Sequence, residues 1–205
     1  MNEFDIKAEG WDKSNMHRER AAAIAAEIIS QIPLKREMNA LEFGAGTGLL
    51  SFMLKDNLKE ITLIDNSEGM VKVLNEKLIA AKADNLKVVK ADLEHEDLAL
   101  GSFDLIYTLM VLHHVGDLET IISKFHDLLN PGAFLAIADL YTEDGSFHGE
   151  GFGGHRGFDP GTLSALLQRH GFTGINYRKV YVIDKEVSED SRKKFDVFLL
   201  TAIRS

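Results

Sequence analysis

Three glycines at alternate positions, Gly44, Gly46 and Gly48, follow a short apolar run that is typical of a buried strand. The apolar-rich segment from Leu49 to Leu58 predicts a helix directly after them. Glycine accepts positive φ and has no Cβ, so the backbone of such a turn can bend sharply while a ligand lies against it. The free N–H groups at the start of the helix favour polar or anionic ligand groups. The motif alone is weak, because any tight strand-to-helix turn can produce it.

Two acidic residues flank this turn along the chain. Glu42 directly precedes the glycines, and Asp65 ends the next predicted strand, residues 61–64. Open α/β sheets place an acid roughly 20 residues after such a glycine turn, where it accepts hydrogen bonds from a ribose. Asp65 would otherwise cap the helix that follows it. The third glycine of the dinucleotide fingerprint is missing, because Leu49 stands in its place.

Residues 42–48, E-F-G-A-G-T-G, resemble the first motif of the class I S-adenosylmethionine-dependent methyltransferases, in particular small-molecule enzymes of methyltransferase types 11 and 12. In that family the glycine loop holds the amino-acid half of the cofactor and the acid after strand two holds its ribose. The resemblance extends over residues 38–203 and implies the same roles for this loop and for Asp65. The implied cofactor is S-adenosylmethionine, with S-adenosylhomocysteine as the product.

The resemblance also implies an adenine site after strand three. Asp92 would accept a hydrogen bond from the exocyclic amine of adenine, and the Leu93 N–H would face the ring, which matches the donor and acceptor of neutral adenine. Asp92 is alternatively a solvated loop acid. Met70, at the start of a predicted helix, would pack on the adenine or in the core. The implied cofactor-binding residues are Trp11, Glu42, Phe43, Gly44, Ala45, Gly46, Gly48, Asp65, Asn66, Met70, Asp92, Leu93 and Leu109.

Four side chains are candidates for acid–base chemistry. His113 and His114 follow the fourth predicted strand, Asp139 ends the fifth, and His155 lies in a glycine-rich segment. Because strands four and five should be neighbours, a histidine and Asp139 could meet above the methyl group, and an imidazole oriented by a carboxylate is a workable base near neutral pH. A histidine after a strand is alternatively a packed or capping residue. The catalytic residue therefore stays unassigned.

The composition and charge of the chain limit the classes of molecule on which it could act. A formal net charge of −9, with no basic cluster beyond residues 192–194, argues against a nucleic-acid enzyme and favours a small neutral or cationic acceptor. The turn after strand four lacks the Asn/Asp-Pro-Pro-aromatic motif of amino-methylating nucleic-acid enzymes. No apolar run reaches the roughly 18 residues of a membrane span. The first residues lack a signal peptide, which predicts a cytoplasmic protein. The oligomeric state is not indicated.

No metal site is predicted. The chain has no cysteine, which excludes thiolate ligands, and it has no His-Glu-x-x-His motif. His126, His148 and His170 are too scattered along the chain to be convincing ligands, although carboxylate sites stay open.

The order of elements predicts an α/β fold, in which a turn at residues 130–132 separates a helix from the fifth strand. Apolar runs alternate with helical patterns, and the two last runs, residues 175–183 and 195–203, have no helix between them and should pair as a hairpin across a charged connection at 184–194. We expect a Rossmann-like, seven-stranded, mostly parallel sheet with an antiparallel last strand, helices on both faces and an N-terminal helical cap. The six glycines of residues 141–158 predict a mobile loop at the carboxyl edge of the sheet.

We interpret residues 1–205 as a single domain with three parts: an N-terminal helical cap (1–33), a cofactor-binding core (38–140), and a substrate-side loop, helix and hairpin (141–205). Trp11 would close the site from the cap or pack against the outside of the sheet.

Two other functions stay open. An NAD(P)-dependent oxidoreductase would use the glycine loop and Asp65, but Leu49, Asp92 and the terminal hairpin count against it. A protein that binds S-adenosylmethionine without turnover would carry the same cofactor motifs.

Overall fold

The computed structural model describes residues 3–188 and 191–205. The α-helices are α1 (Glu3–Trp11), α2 (Asn15–Gln31), α3 (Leu49–Leu54), α4 (Glu68–Ala81), α5 (Leu118–Leu128) and α6 (Pro160–Arg169). The strands are β1 (Asn39–Phe43), β2 (Glu60–Asp65), β3 (Leu86–Lys90), β4 (Phe103–Leu109), β5 (Leu129–Leu140), β6 (Phe172–Ser188) and β7 (Ser191–Arg204). Within these ranges, no helix is both long and apolar enough to cross a bilayer.

The seven strands form one sheet in the order β3-β2-β1-β4-β5-β7-β6. The first five strands are mutually parallel, whereas β7 runs antiparallel to both of its neighbours, β5 and β6. The predicted Rossmann-like sheet with an antiparallel last strand is confirmed, and so is the helical N-terminus. Because the chain leaves β1 towards one side of the sheet and β4 towards the other, the carboxyl ends of these two strands border a crevice, where open α/β sheets bind their ligands.

Helices cover both faces of the sheet, and each face has its own apolar core. Strand β4 shows the division, because Leu105 and Tyr107 belong to one core while Ile106 belongs to the other. Side chains alternate between the two faces of a strand, so a continuous apolar run is expected for a strand that is buried on both sides. The first core contains residues of α2, α3 and α4, and the second contains residues of α5 and α6.

The last two strands are longer than predicted. Residues 184–188 and 191–194, which the sequence assigned to a charged connection, continue β6 and β7, so that prediction is wrong for these residues; residues 189 and 190 lie outside the described part of the chain. Antiparallel pairing sets Asp184 opposite Lys194 and Glu186 opposite Arg192. Cross-strand pairs of opposite charge support a ladder, so a charged segment can be strand rather than loop.

Two other boundaries differ from the sequence prediction. The helix after the glycine turn ends at Leu54 and continues as a 3₁₀ turn, Lys55–Asn57, rather than as α-helix to residue 58. Strand β5 begins at Leu129 and takes in the predicted turn at residues 130–132, where Gly132 has a φ of 77° and the pairing with β4 is irregular.

Strand β4 ends at Leu109, because Met110 has a φ of 60°, which breaks the extended backbone. A 3₁₀ turn, Leu112–His114, follows and holds both histidines of the predicted pair. The sharp turn therefore directs this segment across the carboxyl edge of the sheet rather than away from it.

Candidate active site

A cavity of about 640 Å³ lies at the carboxyl edge of the parallel strands, beneath the N-terminal helices. Most residues that the sequence assigned to the cofactor line it. They are Trp11, Glu42, Phe43, Gly44, Ala45, Gly46, Asp65, Asn66, Met70, Asp92, Leu93 and Leu109. Of the four acid–base candidates, His113 and His114 line the cavity, whereas Asp139 and His155 do not.

All three glycines of the turn have positive φ, but their surroundings explain the need for glycine differently at each position. A Cβ on Gly44 would lie 2.4 Å from the Val111 side chain, and one on Gly48 would lie 2.6 Å from Leu74. Gly48 does not line the cavity, so it serves the packing of the turn on α4. A Cβ on Gly46 would have only the Met70 sulfur, at 3.9 Å, within 4 Å among described residues. Only this position leaves open space for a ligand against the backbone.

Asp65 lies at the end of β2 and closes the glycine turn. Its carboxylate accepts hydrogen bonds from the Gly46 N–H at 2.7 Å and from the Ser67 N–H at 2.8 Å. Burial raises the pKa of Asp65, and these two hydrogen bonds oppose the shift. Each carboxylate oxygen has a second lone pair, so the group can still accept from two hydroxyls in the cavity.

Asp92 and Leu93 follow β3 and line the same cavity as the glycine turn. Asp92 accepts a hydrogen bond from the Glu94 N–H at 3.1 Å, and its other oxygen lies 2.9 Å from His95 Nδ1. Leu93 is buried, whereas the Asp92 side chain is about one-third exposed. Glu94, which the sequence did not single out, also lines the cavity and accepts from the backbone N–H groups of residues 116 and 117.

Glu42 is a buried acid at the base of the cavity. It accepts a hydrogen bond from the Ser51 hydroxyl, which in turn lies 2.5 Å from the Tyr107 hydroxyl. Burial raises the pKa of Glu42 to about 8, and the nearby Asp65 carboxylate adds to the shift while the bond from Ser51 opposes it. Glu42 is therefore mostly protonated at neutral pH in the absence of a ligand.

Hydrogen bonds hold the N-terminal segment against the glycine turn. Asp12 accepts hydrogen bonds from the Thr47 hydroxyl at 2.5 Å and from Lys77 at 2.6 Å. Gly69 permits close contact, since a Cβ there would lie 2.7 Å from the backbone of Asp5. The ring of Trp11 packs 4.1 Å from that of His17 and lines the cavity, which is the first of the two placements predicted for it.

His113 meets Asp139, as the neighbouring strands predicted. Its Nδ1 lies 2.6 Å from Asp139 Oδ1, and both side chains are buried. His114 is beside it, and burial lowers the pKa of His114 to about 4, with further lowering from the adjacent His113 and His148. The pKa of His148 is also lowered to about 4, again chiefly by burial. His155 faces away, with Nε2 3.0 Å from the Val115 carbonyl oxygen in a smaller adjoining cavity.

Several residues of the cavity wall were missed by sequence reasoning. Arg20 is the clearest: it is 6% exposed, and its Nε has no hydrogen-bond partner among the described residues. Burial lowers the pKa of Arg20 to about 10, and the Asp139 carboxylate opposes the shift. The signal was present, because Arg20 lies one turn before Ile24 on the buried stripe of α2. Phe4, Lys7, Phe147, His148 and Lys185 also line the cavity.

Comparison with known proteins points to one of the families that this geometry fits. Residues 41–135 match the family described as methyltransferase domain. An uncharacterized methyltransferase of Schizosaccharomyces pombe is 32% identical over 150 residues, which cover 65% of this chain and 53% of that protein. The matched part of the chain is therefore similar to a methyltransferase domain, in agreement with the resemblance to the class I S-adenosylmethionine-dependent methyltransferases.

One further relative in sequence and one solved structure are also similar to this chain. A polyketide synthase-nonribosomal peptide synthetase of Aspergillus clavatus is 30% identical over 196 residues, covering 85% of this chain and 5% of that protein. Among solved structures, the putative methyltransferase bound to the Trm112 methyltransferase activator of Haloferax volcanii has the same fold. Its TM-score is 0.80 at 17% identity, with coverage of 99% of this chain and 98% of that chain. This chain thus spans about half of the length of the Schizosaccharomyces pombe relative and a small part of the length of the synthetase.

Proposed function

We propose that this protein transfers a methyl group from S-adenosylmethionine to a small-molecule acceptor. One observation carries the proposal: a single cavity joins the cofactor side, with Gly46, Asp65 and Asp92, to an apolar and histidine-lined end with His114 and Phe147. Methyl transfer is an in-line displacement, so its first requirement is a site that holds donor and acceptor in one line. A cavity with two chemically different ends meets that requirement.

The residues of the cofactor side suit the parts of S-adenosylmethionine. The open backbone at Gly46 would hold the amino-acid half, Asp65 would accept from both ribose hydroxyls, and Asp92 with the Leu93 N–H would hold adenine. The unpartnered Nε of Arg20 is a suitable donor for the cofactor carboxylate. The cofactor supplies the electrophilic methyl group, and these residues fix its position.

The acceptor would occupy the end of the cavity between the N-terminal segment and the 147–148 loop. Phe4 and Phe147 give this end apolar walls, which suit an apolar body. Lys7 and Lys185 also line it, against Glu3 and Asp184, so the charged groups of this end balance once Arg20 faces the cofactor carboxylate. A neutral molecule suits such an end, and of the neutral and cationic acceptors that the sequence had left open we propose the neutral one.

The acceptor nucleophile would be a hydroxyl or a thiol. Imidazole nitrogens at this end can accept a hydrogen bond from either group and so orient it towards the methyl carbon. His113 and His114 would make this contact. Asp139 lies 2.6 Å from His113 Nδ1 and would orient that ring, whereas His155 contacts the Val115 carbonyl oxygen instead. We extend the proposal to two expectations from the sequence, a cytoplasmic location and an acceptor other than nucleic acid.

Transfer of a labelled methyl group from S-adenosylmethionine to a panel of neutral phenols, alcohols and thiols tests this function. We expect turnover with at least one acceptor, and none in Gly46→Arg, because an arginine there would fill the cofactor space. Gly101→Arg is a matched control. Gly101 also has positive φ, at 81°, and no atom of the described residues lies within 4 Å of its Cβ position, but it lies outside the cavity lining. Cofactor binding without transfer to any acceptor would instead favour the non-catalytic alternative, and equal turnover by Gly46→Arg would contradict the proposed cofactor site.

A further inference from the structure

Three histidine rings converge at the acceptor end of the cavity. His113 and His114 come from the turn after β4, and His148 comes from the 141–158 loop. The ring centroids are 4.2 Å apart for His113 and His114, 5.0 Å for His113 and His148, and 5.1 Å for His114 and His148. One ring nitrogen of each lies within 4.8 Å of the corresponding nitrogens of the other two. No sequence pattern predicts this cluster, because helix α5 and strand β5 separate His148 from the histidine pair after β4.

The hydrogen bonds of Asp139 fix the orientation of the first ring. Its carboxylate accepts from His113 Nδ1 at 2.6 Å, from the Leu140 N–H at 2.7 Å and from the His113 N–H at 3.2 Å. A carboxylate that accepts from Nδ1 holds the proton there and leaves Nε2 with a free lone pair. Metal-binding histidines are commonly oriented by such a carboxylate on the other ring nitrogen. His113 thus has the carboxylate contact that commonly orients a metal-binding histidine.

His148 has a free nitrogen of its own. Its Nε2 is buried and has no hydrogen-bond partner among the described residues. Phe152 stacks on the ring, with centroids 3.9 Å apart and planes 15° apart, so the imidazole is held from one side. Buried polar atoms are ordinarily paired, and an unpaired nitrogen beside two other imidazoles requires an explanation. A bound cation would supply the missing partner.

We propose that His113, His114 and His148 bind a divalent transition-metal ion of the zinc type. Imidazole ligands suit zinc and its neighbours in the first transition row rather than magnesium or calcium. Three protein ligands with one open position are characteristic of catalytic zinc sites, and the cavity provides the open position. Nitrogens bonded to one zinc ion lie roughly 3.3 Å apart. Because the nitrogens here lie within 4.8 Å of one another, they would have to approach by roughly 1.5 Å at most.

This site departs from the sequence prediction of no metal. There, His148 was considered with His126 and His170, which are distant, and not with the pair after β4. A second group, Asp92, Glu94 and His95, also brings three ligand atoms within 4.8 Å of one another, but His95 is exposed and Asp92 is a proposed adenine contact. The buried histidine cluster is therefore the stronger candidate, and the exposed group is the competitor that a test must distinguish.

The use of the metal rests on the proposed function, although its binding does not. With the imidazole lone pairs bound to the metal, the metal would replace His113 and His114 as the group that contacts the acceptor nucleophile. An acceptor hydroxyl or thiol in the open position would lose its proton to water more easily, because the cation stabilises the anion that forms. Its electron pair would form the bond to the methyl carbon as the bond from that carbon to the cofactor sulfur breaks. S-adenosylhomocysteine and the methylated acceptor would leave together with the released proton.

The test is a calorimetric titration of Zn²⁺ into the metal-free protein, prepared without a polyhistidine tag and without cofactor. We expect one ion to bind the wild type, and His148→Gln to weaken that binding by at least about 100-fold, beyond the 10–100-fold effect typical of an outer-sphere partner. Co²⁺ in place of Zn²⁺ should give the visible absorption of a low-coordinate imidazole complex, and His148→Gln should abolish it.

Three controls make the outcome decisive. His126→Gln, on α5 and outside the cavity, and His95→Gln, in the exposed group, should both leave Zn²⁺ affinity unchanged. Retained S-adenosylhomocysteine binding by His148→Gln would show that the variant is folded and that cofactor binding is independent of the metal. Equal Zn²⁺ affinity in the wild type and His148→Gln, or loss of binding in His95→Gln instead, would overturn the proposal whatever the methyl-transfer assay shows.

Discussion

Replacing Asp65 with alanine is expected to weaken the binding of S-adenosylhomocysteine by at least about 100-fold. The carboxylate is the acceptor proposed for both ribose hydroxyls, and hydrogen bonds to a charged group contribute roughly 1.5–3 kcal/mol each. The loss of both exceeds the roughly 2.7 kcal/mol that corresponds to 100-fold. The alanine variant also loses the acceptor for the Gly46 and Ser67 N–H groups, which loosens the turn that carries the ligand. Calorimetric titration measures the change directly.

Asp104→Ala is the matched control for this experiment. Asp104 likewise accepts two hydrogen bonds, from the Asn39 N–H and the Asn130 side chain, both at 2.9 Å, but it lies at the start of β4, at the opposite edge of the sheet. We expect this variant to bind S-adenosylhomocysteine as tightly as the wild type. An Asp65→Ala protein that is folded, by its thermal transition, and binds the ligand with wild-type affinity would refute the ribose role.

Glu42→Gln is expected to stabilise the protein increasingly as the pH rises. The pKa of Glu42 is about 8 in the folded protein, against about 4.5 for an exposed glutamate. Between these two values the unfolded chain has released the proton that the folded chain still holds, so the wild type loses stability as the pH increases, by about 1.4 kcal/mol per pH unit. Glutamine cannot ionise and avoids this loss, while its carbonyl oxygen can still accept from Ser51.

From about pH 5.5 to about pH 7.5 the stability difference between Glu42→Gln and the wild type should therefore grow by about 3 kcal/mol, or roughly 5–10 °C in Tm for a chain of this size. Thermal unfolding without cofactor, at matched ionic strength, measures it. Glu37→Gln, at an exposed position, is the control and should show a difference from the wild type that stays constant with pH. A pH-independent difference for Glu42→Gln would mean that Glu42 is already ionised in the folded protein.

The sheet could be predicted because its inner strands are short apolar runs separated by turn residues. The hairpin was underestimated for a physical reason: residues 184–188 and 191–194 are charged, and charge usually indicates a loop, but antiparallel pairing places Asp184 opposite Lys194. The order of the charges along two distant segments carries this information, and it is visible only once the register is known.

The cofactor side could be proposed from the sequence because its residues are local to three strand ends. The glycine turn, Asp65 and Asp92 each follow a strand that the apolar pattern reveals. The acceptor side depends on contacts between distant segments. Arg20 comes from α2, Phe147 and His148 come from a loop, and Lys185 comes from β6, and the fold alone brings them to one cavity. No spacing of these residues along the chain predicts that their side chains line the same cavity.

The pairing of His113 with Asp139 could be predicted only in part from the sequence. Parallel neighbours place their carboxyl ends together, so an approach could be expected, but the identity of the histidine depended on the turn at Met110. That turn sends the backbone of His113 towards Asp139 and sets the ring of His114 beside it.

The most direct test of the central claim is a calorimetric titration of the wild-type protein with S-adenosylhomocysteine, S-adenosylmethionine and NADH. We expect micromolar binding of both adenosyl ligands and no detectable binding of NADH, because Leu49 replaces the third glycine of the dinucleotide fingerprint and Asp92 suits adenine held beside the glycine turn. Binding of NADH with no binding of either adenosyl ligand would contradict the proposed site and the function built on it.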